Sequence, residues 1–435
     1  MSILGIINSD PEVHKNIEIA FQQVPNHDYD LHFLVKEKEI LEFLNYALPE
    51  LVVINFSDPR INIDGIISHI QNDKWILNFG IIGLFSRKSD KEENLLKMYK
   101  EANVLTFLDS SRLSTHLVKN IQIIEQNYQI IFQREFTKTL LEGGVSGSFI
   151  IDNDILAVPL YSGIGATILA QRGLINPDGK MHLQLALTEL IINAIEHGNC
   201  GISYEEKTKA LTQGLSPIEL IEEKCKNPAI KAKKVTFNWE IKPEKSIFLI
   251  HDEGNGFDVK AHIEKMSKQD KSSLHGRGIR IAATYSNELK YNTKGNQVGL
   301  VIKNEVPMEH EVPVGFSQVQ VTKVKKGDIV IREGEPSDYL YYISSGTFEV
   351  LHNNKPVGSL SAQDIFMGEM SFLLNQRRSA TIRATSAGKL ILLTHKTFMN
   401  VIREYPHYGI FLSKLLAKRL VRSNEQTAAR LNKIT

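Results

Sequence analysis

The chain has 435 residues, of which 42% are hydrophobic and 23% charged, and its formal net charge is +1. That length exceeds one ordinary core and points to about three domains, while the near-neutral charge leaves no global basic field to hold nucleic acid or an anionic membrane. Two cysteines, Cys200 and Cys225, no basic-then-apolar leader, and longest apolar runs such as Ile247–Ile250 read as a soluble cytoplasmic chain with reduced thiols, excluding a disulfide framework and a membrane span.

Over residues 1–115, apolar runs at Ile3–Ile7, Leu51–Phe56, Ile81–Phe85 and Val104–Leu108 alternate with helical patterns. Strands separated by amphipathic helices predict a doubly wound parallel sheet. A long helix is expected from Ser111 to Leu141, with Leu117, Ile121, Ile124, Tyr128 and Ile131 in 4-3-4-3 spacing. Two readings stand: a coiled-coil seam pairing two copies, or a helix packed on its own domain. Glu142-Gly143-Gly144 marks a break, so residues 116–147 read as a signalling helix and linker.

Residues 148–304 mix strands and helices, interrupted by the polar, lysine-rich Gly201–Lys234, which reads as an insertion or mobile loop. Residues 305–314, with Pro307 and Pro313, read as a linker. Over residues 315–435, short strands with Gly-containing turns predict a small β-barrel, and Lys396–Leu431 returns to helical periodicity. The fold class expected is multidomain, α/β and α+β.

The first segment resembles response-regulator receivers, which would give it a flavodoxin-like fold. The positions that match that family's Mg²⁺-holding acids are Asn8 and Ser9, and its phospho-accepting Asp is matched by Asn55. Ser86 keeps the fourth-strand hydroxyl, whereas the fifth-strand Lys is matched by Leu108, followed by Asp109. An amide does not attack a phosphoryl group as a carboxylate does, and neutral side chains hold a hard cation poorly. A sensory or dimerising pseudo-receiver, or a plain α/β scaffold, is therefore expected.

In the central segment three boxes carry chemistry. Within Leu185–Asn199, Glu189 and Asn193 fall one turn apart on a helix whose other face is apolar. A carboxylate above a carboxamide suits metal–phosphate work. Asp252-Glu253-Gly254-Asn255-Gly256-Phe257 follows a strand, and its glycines allow close backbone approach to a ligand. His275-Gly276-Arg277-Gly278-Ile279 is a Gly-rich turn opening a helix, where backbone N–H groups favour phosphate. Each box alone is a weak signal; their order and spacing make the set specific.

The set resembles the GHKL, or histidine-kinase-like, ATPases, and within them the anti-sigma-factor serine kinases. The resemblance implies an α/β sandwich that binds ATP with Mg²⁺ and phosphorylates a serine on a STAS-domain antagonist. Carried over by position, Glu189 would be general base, Asn193 would ligate Mg²⁺ and Asp252 would read adenine. Gly254, Gly256, Gly276 and Gly278 would shape the nucleotide loops, with Arg277 neutralising phosphate. A histidine kinase uses the same fold, but His116 is followed by Leu117-Val118 rather than by an acid, which disfavours it as a phospho-acceptor.

In the last segment, Phe366-Met367-Gly368-Glu369 is followed nine positions after the glutamate by Arg378-Ser379-Ala380. Glu369 can accept from a ribose 2′-hydroxyl, Arg378 can pair with a single negative phosphate, and Gly368 with a short helix offers N–H donors. This resembles the cyclic-nucleotide-binding domain of the catabolite-activator and cyclic-AMP-dependent kinase regulatory families. Gly368, Glu369, Arg378, Ser379 and Ala380 would bind the nucleotide. Ser379 leaves cyclic AMP and cyclic GMP both open. Only a terminal helix follows the cassette, so direct DNA binding is not expected.

The reading is a cyclic-nucleotide-regulated, ATP-dependent serine protein kinase or anti-sigma-type switch acting on a STAS-domain antagonist. Its alternative is a non-catalytic, nucleotide-dependent module that sequesters a sigma factor or regulator. A homodimer follows if the Leu117–Ile131 seam is a coiled coil.

Overall fold

The computed structural model describes residues 2–23, 29–73, 77, 79–87, 90–127, 131, 145–242, 244–259, 286–305, 312–319 and 321–431. The third box, with Gly276, Arg277 and Gly278, lies outside the described residues, as does Tyr128 of the seam.

The first segment forms β1 (Ser2–Ile7), α1 (Pro11–Gln22), β2 (Tyr29–Leu34), α2 (Glu37–Ala47), β3 (Leu51–Asn55), α3 (Ile63–Asn72), β4 (Gly80–Phe85), α4 (Glu92–Met98), β5 (Val104–Asp109) and α5 (Leu113–Gln126). The five strands pair in parallel in the order β2-β1-β3-β4-β5, an open doubly wound sheet. Strand β3 is buried along its whole length, as a strand covered by helices on both faces must be. Asp10 starts α1 by accepting from the backbone N–H groups of Glu12 and Val13, with Pro11 preset for the first turn. Strand β2 lacks a strong apolar run and is absent from the sequence expectation.

Burial of the described seam residues decides between the two readings of the seam. Leu117, Ile121, Ile124 and Ile131 are all buried in the chain's own core, so these side chains offer no face to a second copy. His116 is held as well. Its Nε2 lies 3.6 Å from an Asp154 carboxylate oxygen that also takes Lys119 Nζ at 2.5 Å. Hydrogen bonds and charge from His116 and Lys119 outweigh burial and hold Asp154 well below the usual carboxylate range.

The central domain comprises β6 (Val145–Ile151), α6 (Val158–Ala170), α7 (Pro177–Asn193), α8 (Tyr204–Thr212), α9 (Pro217–Lys224), α10 (Pro228–Lys231), β7 (Val235–Ile241), β8 (Lys245–Asp252), β9 (Glu288–Tyr291) and β10 (Gln297–Lys303). Its antiparallel sheet has the order β6-β7-β8-β10-β9. Alternate residues of β7 and β8 are buried, while α6 is buried around most of its circumference. The stretch Gly201–Lys234, for which a mobile loop is one expectation, holds three short helices. Ser203 caps α8, Ser216 and Glu219 form a capping box on α9 with Pro217 in its first turn, and Asn227 caps α10. Its polarity marks helices with one packed face rather than a loop.

The last domain pairs eight strands, β11 (Val321–Val324), β12 (Ile329–Ile331), β13 (Tyr339–Ser345), β14 (Thr347–His352), β15 (Lys355–Ser361), β16 (Phe366–Met367), β17 (Thr381–Ala384) and β18 (Gly388–Thr394), in two sheets. The orders are β11-β18-β13-β16 and β12-β17-β14-β15, a sandwich in which no closed barrel forms among the described residues. The barrel expectation is corrected here: strand count and turn spacing are the same for a barrel and a two-sheet sandwich. Helices α11 (Glu369–Leu373), α12 (His395–Glu404) and α13 (Pro406–Leu431) complete it.

The first domain touches both others. Through α5 and β5 its core is continuous with that of the central domain, where a Cβ on Gly163 of α6 would overlap the Leu105 carbonyl at 1.7 Å. Lys180 of α7 is buried against β5, donating to Asn103 Oδ1 at 3.4 Å and the Val104 carbonyl at 3.3 Å, and burial pushes its pKa down to about 8. On its other side, buried Asp73 accepts from Tyr408 Oη at 2.7 Å and faces His407 Nε2 at 3.4 Å, both on α13.

Candidate functional site

Helix α7 begins at the Asn176 cap and Pro177 and runs unbroken to Asn193. There it passes into a π-helical turn, Ala194–Asn199, of a kind that often marks functional sites. Glu189 and Asn193 lie half-buried one turn apart on it. Burial raises the Glu189 pKa above the ordinary carboxylate value, Lys207 opposes that rise, and Glu196 and Glu93 add to it. A half-buried carboxyl of raised pKa is suited to taking a proton.

Asp252 ends β8 and is buried. Its Oδ1 accepts from the Gly254 N–H at 2.8 Å, and burial raises its pKa although that hydrogen bond opposes the rise. The glycines around it are contact points. A Cβ on Gly198 would sit 2.3 Å from Asp252 Cγ, and one on Gly254 would sit 2.3 Å from the Gly198 carbonyl oxygen. Gly256 has φ +76°, and a Cβ there would meet the Lys294 carbonyl at 1.9 Å. So the first two boxes are pressed together backbone to backbone.

Two residues that sequence reasoning missed hold this junction. Asn199 Oδ1 accepts from the Glu253 N–H at 2.8 Å, and its Nδ2 donates to Asn153 Oδ1 at 2.9 Å. Asn296 is buried and donates to the Asp252 carbonyl at 3.0 Å, while its own carbonyl accepts from the Asp252 N–H at 3.0 Å. Asn199 closes the first box and could have been found there; Asn296 sits in an ordinary polar turn and carries no local signal.

A Mg²⁺ ion keeps several waters and takes one or two protein oxygens beside phosphate. The Asn193 carboxamide one turn from Glu189 fits that demand. Among the described residues no group of three His, Cys, Asp or Glu side chains could hold a metal by itself.

The second cluster lies where α11 starts. Gly368 has φ +74°, and a Cβ on it would sit 2.4 Å from an Arg378 guanidinium nitrogen. Glycine is needed twice over, for the backbone and for the arginine. Arg378 is buried and donates to the Gly368 carbonyl at 2.9 Å, Ser371 Oγ at 3.2 Å and the Tyr339 carbonyl at 2.5 Å. Burial lowers its pKa, and the nearby Tyr341, Asp338 and Glu369 oppose that. Ser379 is exposed and Ala380 half-buried next to it. Glu369 is buried and ion-paired with Arg419 of α13. Arg419 also donates to the Asp364 carbonyl at 2.8 Å, a tie that the sequence did not disclose.

Two separate polar clusters thus lie on one chain, one at the junction of α7 with β8 and one where α11 starts in the sandwich. The cyclic nucleotide-binding domain family matches residues 321–405, and the histidine kinase-like ATPase domain family matches residues 165–302. The chain thus carries both kinds of domain. It is 37% identical over 97 residues to the cGMP-dependent protein kinase of Toxoplasma gondii, which covers 22% of this chain and 10% of that protein. It is 35% identical over 80 residues to the cAMP-dependent protein kinase type II regulatory subunit of Drosophila melanogaster, covering 18% and 21% respectively. Among solved structures, Thermus thermophilus catabolite activator protein aligns at 25% identity with a TM-score of 0.25, covering 27% of this chain and 56% of that one. The chain thus spans only about a tenth to a fifth of the two kinase-related proteins. Among the described residues no helix is long and apolar enough to cross a membrane.

The Gly198 contact gives a direct test of the ATPase-like pocket. Gly198→Ala should abolish ATP binding by displacing Asp252, while cyclic nucleotide binding by the sandwich, built from separate sheets, stays intact. Calorimetric titration with each nucleotide checks this, and unchanged ATP affinity would show that Asp252 is not a nucleotide contact.

Proposed function

We propose that this chain is a cyclic-nucleotide-regulated, ATP-dependent serine protein kinase of the partner-switching type, acting on a STAS-domain antagonist. Glu189 takes the proton of the incoming serine hydroxyl, Asn193 holds Mg²⁺, and Asp252 accepts from the adenine amino group. Gly254, Gly256, Gly276 and Gly278 shape the loops around ATP, and Arg277 meets its phosphates. The bound metal would neutralise phosphate charge. In the sandwich, Glu369 receives the ribose 2′-hydroxyl and Arg378 the cyclic phosphate, with Gly368, Ser379 and Ala380 completing the cassette.

The observation that carries this reading is the course of α13. One part of the helix places Arg419 on Glu369, and another places Tyr408 and His407 on Asp73 of the first domain. That domain in turn packs on α7, the helix bearing Glu189 and Asn193. A ribose hydroxyl on Glu369 competes with Arg419, so ligand and helix position are energetically linked. The first domain serves as a pseudo-receiver that transmits rather than accepts phosphate. In keeping with this, Asn55 Nδ2 donates to Asn8 Oδ1 at 2.8 Å, and the nearby Asp58 carboxylate is occupied by Ser9 Oγ at 2.7 Å.

The test is calorimetry with ATP, with and without saturating cyclic AMP or cyclic GMP, alongside labelled phosphate transfer to candidate STAS proteins. Cyclic nucleotide should change ATP affinity, and ATP should change cyclic nucleotide affinity by the same factor. Unchanged affinities and transfer rates with both cyclic nucleotides would refute the regulation.

A further inference from the structure

Helix α8 delivers a lysine to the π-helical turn that follows Glu189 and Asn193. Glu189 and Asn193 stand one turn apart on α7, and Glu196 follows in the π-helical turn, near enough for its charge to act on Glu189. Glu196 is 2% exposed. Its Oε2 lies 2.5 Å from Lys207 Nζ, and the lysine side chain keeps 29% of its surface open. The position is braced. His197 Nδ1 contacts the Ile202 carbonyl at 2.6 Å, the His197 and Tyr204 rings pack at 4.5 Å, and Lys224 of α9 reaches Glu206 at 2.7 Å.

Neutralising a buried carboxylate would by itself explain one ion pair. It does not explain why the ammonium remains partly open, nor why its charge also reaches Glu189. A triphosphate brought up to Glu189, with the Glu196 carboxylate near it, meets like charge and needs a cation beside it. An ammonium has three donors, so one can stay on Glu196 while another meets a phosphate oxygen.

We propose that Lys207 is a phosphate-binding residue of the ATP site, held ready by Glu196 and directed at the terminal phosphate. This rests on the ATP-binding reading above. It assigns a binding role to a segment whose sequence looked like a surface insertion.

The test separates binding from simple charge neutralisation. In the double variant Glu196→Gln/Lys207→Met no buried carboxylate is left unpaired, so its melting temperature should stay near that of the unaltered protein. Its affinity for ATP with Mg²⁺ should nonetheless fall about tenfold or more, the scale of a hydrogen bond to a charged group. Affinity for ADP should change far less. The ratio of ATP to ADP affinity is the deciding readout, because partial unfolding weakens both nucleotides equally. Lys207→Arg should keep most of the ratio. A double variant with an unchanged ratio would overturn the Lys207 assignment alone, whereas no ATP binding by the unaltered protein would overturn the ATP-site reading and this inference with it.

Discussion

Glu189→Gln should leave ATP binding nearly unchanged and lower phosphoryl transfer to a STAS-domain substrate by about 10²–10⁴-fold, the usual worth of a positioned general base. The amide keeps the size of the carboxyl and its place on α7 but cannot take a proton. Burial already raises the Glu189 pKa, so the neutral side chain should not cost stability. The same shift fixes the acid limb of the rate profile. The base form is lost as pH falls through the raised pKa, so activity should decline at a higher pH than for an ordinary carboxylate. Removing Lys207, whose charge opposes the rise, should move that limb higher still. Single-turnover transfer of labelled phosphate across pH checks both points. A Glu189→Gln protein that transfers phosphate at the original rate would remove Glu189 as base, and one that keeps its cellular effect without transfer would favour the sequestering module.

Arg378→Lys should weaken cyclic nucleotide binding by about 10- to 100-fold, on the scale of one or two hydrogen bonds to a charged group. Charge is conserved in this change, but geometry is not. The guanidinium fork serves the Gly368 and Tyr339 carbonyls and Ser371 Oγ at once, and its carbon lies 5.7 Å from the centre of the Tyr341 ring. A single ammonium on a flexible stem cannot reproduce a planar, multidentate contact. The variant should also lose some stability of the sandwich, because carbonyls now served by Arg378 are left short of a donor. Titration with cyclic AMP and cyclic GMP, with ATP binding as the control for folding, measures the effect. Undiminished affinity for both would place the phosphate elsewhere.

Chemistry set by near neighbours was legible from the sequence. The four-residue step from Glu189 to Asn193 makes them helix neighbours whatever surrounds them, and the Gly368-Glu369 pair with Arg378 nine positions on lies within one hairpin-sized stretch. The alternating apolar runs of residues 1–115 likewise foretold a parallel sheet, since a strand covered on both faces must be apolar throughout. The weak spots were elements whose pattern is ambiguous. Tyr29–Leu34 has no strong apolar run, and the lysine-rich stretch before β7 hides one packed face among many solvated residues.

Tertiary structure alone decided the rest. Leu117, Ile121 and Ile124 show a seam spacing that fits a partner helix or an internal core equally well, and only their burial beside α1 and β5 selects the core. Lys207 on Glu196, Asn296 on Asp252 and Arg419 on Glu369 each join segments remote in sequence or separated by a turn. Their residue types say that they carry charge or hydrogen bonds, and nothing local says to whom. By itself the sequence determined which polar groups stand one helical turn apart or close along one stretch of chain, because backbone periodicity is short-ranged. Which cation meets which carboxylate, and that the first domain lies between the two nucleotide domains, depends on how whole faces pack.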